Sequence, residues 1–154
     1  MIANGARVRP DELAYDLFNV VTRFCQVVPR GRRKAGDLKD IEFLALSLLH
    51  QREPLIVGDI QRMLGVLPAQ MSRVIRALEA RERPLIACRI NPQDKRKIDV
   101  CLTAAGDKAL CEYRDYRVRG IAELLRQLPA DDLDEVRGAI DKLQLLPERT
   151  PTLS

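Results

Sequence analysis

The chain has 154 residues, 46% of them apolar and 31% charged, which excludes wholesale disorder and leaves room for one domain with a real core. Aromatic residues make up 4% and Trp is absent, so stacking on unpaired bases has few candidate residues. The net charge of +4 is unevenly placed: residues 62–97 hold nine Lys/Arg against three acids, a net of +6, while the remainder is at −2. Such a segment suits a polyanion-binding surface, and equally a solvated basic face.

The opening "MIANGARVRPDELAYD" has no apolar signal core, and no stretch approaches the ~20 apolar residues of a membrane span. A cytoplasmic protein with no membrane partner is the expectation. Residues 11–28 predict a first helix, capped by Asp11, with Leu13, Leu17, Val20, Val21, Phe24 and Val28 at helical spacing. Its apolar stripe is wide enough to bury one face in its own domain and another in a partner.

"PRGRRKAG" (29–36) is a basic loop, whose Arg30–Lys34 cluster could touch flanking phosphates or be plain solvated charge. Asp37 then caps a second helix with Leu38, Ile41, Leu44, Ala45 and Leu48 inward. The lone His50 near its end has no neighbouring His or Cys, so no metal site is expected. "EPLI" (53–56) is a turn or single-bridge strand. Residues 57–65 form a short helix ended by Gly65 in the left-handed conformation.

Pro68 opens the next helix, "PAQMSRVIRALEARE", of about 15 residues or 22 Å. Met71, Val74, Ile75 and Leu78 line one side; Gln70, Ser72, Arg73 and Arg76 line the other. A hairpin follows, with Ile86, Cys88 and Ile90 alternating inward on one arm and Ile98, Val100 and Leu102 on the other. Its tip holds Asp94, Lys95, Arg96 and Lys97. Thr103 caps a long helix that Pro129 ends, and residues 131–146 form a last helix with acids in its first turn.

Two helices joined by a Gly turn, the second with a polar outward face, make a helix-turn-helix, and the hairpin after it is a wing. Gln and Arg on the second helix can make bidentate contacts to adenine and guanine edges in a major groove, while tip cations reach phosphates or a minor groove. The fold class expected is mainly α (α+β): a winged helix-turn-helix with a two- to three-stranded wing.

"LGVLPAQMSRVIRALEAR" followed by "INPQDKRKIDVCLTAAG" resembles the MarR family of bacterial winged-helix regulators. The family's wing carries a D-x-R element and then a Leu-Thr-x-x-Gly stretch; here these are Asp94-Lys95-Arg96 and Leu102-Thr103-Ala104-Ala105-Gly106. The resemblance implies a single domain over 1–154, dimerisation helices at 11–28 and 107–146, and a DNA-binding part at 38–103. It implies a homodimer on double-stranded DNA that regulates transcription, more often by repression, from a palindromic operator. A small-molecule effector or an oxidant would release the DNA. The wing Arg, Arg96, would enter the minor groove with Asp94 orienting it, flanked by Lys95 and Lys97. Ala69, Gln70, Ser72 and Arg73, with Arg76 a turn on, would read the major groove. Arg76 could instead pair with Glu79.

The chain departs from the family pattern at Ile56 and Leu67, where polar caps are usual, and at Glu82-Arg83-Pro84, where a Gly is common. Some members sense oxidants through a Cys near the N-terminal helices. Cys25 occupies that region, but its neighbours Phe24 and Val27 predict an inert core thiol. Cys88 and Cys101 fall on opposite faces of the wing, which argues against a disulfide. Tyr113 and Tyr116 border a ligand pocket or simply pack. No cofactor and no catalytic residues are expected, since no phosphate loop, nucleophile elbow or metal-type His/Cys spacing occurs. The rival readings are an architectural DNA-binding protein without sequence preference and a protein-binding winged-helix adaptor.

Overall fold

The computed structural model describes residues 7–27 and 37–147. The loop 29–36, with its Arg30–Lys34 cluster, and Val28 lie outside them. In chain order the described residues form α1 (Pro10–Val27), α2 (Asp40–Gln51), β1 (Leu55–Ile56), α3 (Val57–Leu64), α4 (Pro68–Glu79), β2 (Ile86–Ile90), β3 (Ile98–Leu102), α5 (Ala104–Leu125) and α6 (Ala130–Gln144). The strands make one antiparallel sheet in the order β1-β3-β2. The expected mainly α architecture with a small wing is the one observed.

The core is drawn from Leu38, Ala45, Leu46, Leu49, Ile60, Met71, Val74, Ile75, Leu78, Leu85, Ile86, Val100 and Leu110. Every one lies between Leu38, two residues before α2, and the first third of α5. Helix α2 sits at its centre and touches α3, α4, α5 and β3.

Several local expectations are corrected. Asp11 does not cap α1; the helix starts at Pro10, where the missing proline N–H costs nothing, and Asp11 lies in the first turn with Glu12. Asp37 does not cap α2, which begins three residues later. There the Glu42 carboxylate accepts the Lys39 N–H at 2.9 Å, half of a capping box. The inward stripe of α2 is also turned by one position. Leu44 is 47% exposed, and the buried line is Glu42, Ala45, Leu46 and Leu49.

Helix α1 leaves most of its apolar stripe open: Leu13, Leu17, Phe18, Val20 and Val21 are exposed, and Phe24 is half-buried. Cys25 is exposed with them and is not a core thiol of the protomer. On the wing, Ile86 and Val100 are fully buried, but Ile90 and Ile98 at the outer end are exposed, because the hairpin projects beyond the helices it rests on.

Candidate nucleic-acid interface

Gly65 makes the turn between α3 and α4. Its φ of 63° and ψ of 33° belong to the left-handed region that a side chain disfavours. The turn closes with the Val66 N–H donating to Gln61 O at 3.3 Å. Pro68 then occupies the first turn of α4. Met71, Val74, Ile75 and Leu78 are buried, which leaves Ala69, Gln70, Ser72, Arg73 and Arg76 on the solvent face. Arg76 makes no ion pair with Glu79 among the described residues; Glu79 lies against the Cys88 thiol.

Helix α4 is 12 residues long, about 18 Å, shorter than the 15 expected. It ends at Glu79 because the chain turns inward to seat Arg81. The Arg81 guanidinium donates to Glu42 Oε2 at 2.9 Å, and Glu42 is 3% exposed. The same oxygen accepts the Lys39 N–H. One buried carboxylate thus clasps the start of α2 to the end of α4. The clasp removes Arg81 from the charge available to a ligand. Arg62 is likewise paired, with Asp59. Sequence reasoning missed the clasp; its signal was a glutamate at a helical spacing that continues through Ala45, Leu46 and Leu49.

The wing tip is organised by two side chains. Asn91 Oδ1 accepts the N–H groups of Gln93 and Asp94, each at 2.9 Å, and its Nδ2 donates to Asp99 Oδ1 at 2.8 Å. Asp94 Oδ1 accepts the Arg96 N–H at 3.1 Å and its Nε at 3.4 Å, and Lys97 Nζ stands 4.0 Å from the other oxygen. The Arg96 side chain is 92% exposed. A pair this exposed adds little stability, so its effect is to bias where the guanidinium points. Lys95 is exposed beside it.

The base of the wing is tied down at Thr103. Its hydroxyl donates to Pro84 O at 2.6 Å and accepts the Gly106 N–H at 3.0 Å, while its own N–H donates to Leu85 O. Gly106 packs so closely that a Cβ there would stand 2.0 Å from the Leu85 carbonyl oxygen. The Leu-Thr-x-x-Gly stretch is therefore the hinge pin of wing and α5.

Cys88 pairs with Val100 across the sheet and Cys101 with Ala87, which puts the two thiols on opposite faces. Burial and then Glu79 push the Cys88 thiol up to about 11; burial and then Glu53 raise that of Cys101. Tyr113 stacks on Phe43 with ring centres 4.5 Å apart and donates to Asp40 Oδ1 at 2.8 Å, so it ties α5 to α2. A cavity of about 250 Å³ lies elsewhere, lined by Val20, Arg23, Phe24 and Leu124. His50 Nδ1 meets Asp107 Oδ1 at 3.1 Å, and no group of three metal-type ligands occurs among the described residues. No helix there is long and apolar enough to cross a membrane.

Two residues depart from polar capping in different ways. Ile56, before α3, belongs to β1, pairs with Asp99 and is half-buried. Leu67, before α4, forgoes a side-chain cap worth about 1 kcal/mol. Unlike Leu64 and Val66 it does not pack on the core, and it is 73% exposed.

A Gly-turned helix pair with a polar outer helix and a cationic hairpin defines a winged helix-turn-helix protein. Residues 38–98 match the family model described as MarR family. YusO from Bacillus subtilis is 24% identical, with a TM-score of 0.67 over 91% of this chain and 100% of that one. Wild-type apo MarR from E. coli is 19% identical, with a TM-score of 0.74 over 92% and 99%. A MepR mutant from S. aureus, solved bound to an oligodeoxyribonucleotide, is 21% identical, with a TM-score of 0.60 over 86% and 95%. No curated protein matches the chain.

Proposed function

We propose that the protein is a sequence-specific double-stranded DNA-binding regulator of transcription, acting in the cytoplasm on the nucleoid as a homodimer, most simply as a repressor. The observation that carries this reading is the exposed set Gln70, Ser72, Arg73 and Arg76 on α4, presented on the same winged unit as the 92% exposed Arg96. Gln and Arg on a groove-sized helix suit base edges, and an exposed guanidinium at a hairpin tip suits a narrow minor groove. Ala69, Asp94, Lys95 and Lys97 complete the surface.

The homodimer is supported by apolar residues left uncovered on the first and last helices: Leu13, Leu17, Phe18, Leu133, Ile140 and Leu143. Residues 11–28 and 107–146 are the proposed dimerisation part and 38–103 the DNA-binding part. Two-fold symmetry then predicts a palindromic operator with half-sites about one helical turn apart. A small ligand or oxidant that favours one spacing of the two heads would release the DNA.

Selection of sites from random duplex DNA, with affinity measured against salt for wild type and Arg96→Ala, tests this. An enriched inverted repeat, a steep salt slope and a slope shallower by about 1 in the variant are expected. Salt-dependent binding with no enriched motif makes the protein architectural. No binding by folded protein leaves a protein-binding adaptor.

A further inference from the structure

The N-terminal end of α4 carries a residue that folding does not account for. Leu67 stands where a Ser, Thr, Asp or Asn would cap the helix, and its side chain makes no cap hydrogen bond. Among the other starts without a side-chain cap bond, Ile56 is compensated by strand pairing and partial burial, Lys39 by the Glu42 carboxylate on its N–H, and Pro129 has no N–H and precedes a first turn with two acids. Leu67 has none of these: it is 73% exposed, while its neighbours Leu64 and Val66 pack on the core. Its backbone carbonyl accepts the Met71 N–H at 3.0 Å, so the position is held by the helix and not loose.

Around it the helix end is polar and free of negative charge. Ala69, Gln70 and Arg73 follow on the exposed side of the same helix end, and no acid lies in its first turn. An exposed apolar side chain at an acid-free helix end, less than two turns before Arg73, matches one feature of a duplex groove. That feature is the C5-methyl group of thymine, the only apolar edge the major groove displays.

We infer that Leu67 is a specificity-determining residue that contacts a thymine methyl group in each half-site, and that the helix cap is forgone for this contact. The inference rests on the DNA-binding reading above. It also says that capping and recognition compete at one position: the substitution that improves the helix should degrade the reading of DNA.

The test uses the full chain and the duplex that wild type selects from a random library. Each thymine is replaced in turn by deoxyuridine, which keeps the base-pair hydrogen bonds and lacks the methyl group. Wild type should lose about fourfold in affinity at one thymine per half-site, the worth of one buried methyl group. Leu67→Ser should lose about as much on the thymine duplex, become indifferent to deoxyuridine there, and melt at a higher temperature than wild type. A Leu67→Ser protein that keeps the wild-type thymine profile, or a wild type with no sensitive thymine, overturns the inference. A uniform loss on every duplex, with thymine sensitivity retained, assigns Leu67 to the sugar-phosphate backbone and overturns it too. If wild type enriches no motif, the DNA-binding reading has failed at the selection step, before any variant is compared.

Discussion

The winged-helix part and the terminal helices are built on opposite terms. Between Leu38 and Leu110 apolar side chains from α2, α3, α4, the sheet and the start of α5 close over one another, and eight large ones are under 2% exposed. In α6 no residue is buried, and in α1 the apolar face is open. Both regions have helical periodicity, so periodicity alone does not make a core. What separates them is the number of neighbours that converge. Helix α2 is met by four elements, whereas α1 shares with α5 the walls of an open cavity, at Val20, Arg23, Phe24 and Leu124.

The largest expected effect is at the join of the two regions. Gly106→Ala would drive a methyl group into the Leu85 carbonyl, backbone that cannot step aside. A loss of about 4 kcal/mol or more is expected in urea unfolding, with the wing detached from α5. A near-neutral result would mean that the two regions are not locked at this point.

Next comes a direct contrast. Leu78→Ala, in the core, should cost about 3 kcal/mol whatever the protein concentration. Leu143→Ala, on the open face of α6, should stay within about 0.5 kcal/mol in the protomer and instead shift association, seen as a stronger concentration dependence of unfolding. Equal, concentration-independent losses would erase the distinction between the regions.

The smallest effect is chemical. With its thiol pushed up to about 11, Cys88 is almost wholly protonated at pH 8, so iodoacetamide should modify the exposed Cys111 first. The raised value contributes stability that is fully present below the ordinary thiol pKa and is lost as pH rises through 11. In urea the two thiols should react alike; a fast native Cys88 would show the base of the wing to be open.

The elements that were legible in the sequence are those where one local signal had no rival. Gly65 in its left-handed turn, Pro68 at the start of α4, Thr103 as a cap and the stripe Met71, Val74, Ile75 and Leu78 are of this kind. The face of α2 was not legible, because "LALSLL" is apolar all round and supports two stripes one residue apart. The stripe through Glu42 looks the worse of the two until Arg81, 39 residues later, supplies its partner.

By itself, then, the sequence determined the order of elements, the winged architecture and the polar face of α4, since these follow from backbone preference and polarity over a few residues. Only the tertiary structure decided that α4 stops at Glu79, that Glu42 is the buried clasp, that Gly106 is sterically obligatory and that Leu67 is left uncovered. Each of these depends on which distant group arrives at a given point, and burial, unlike helix phase, is a property of the whole chain.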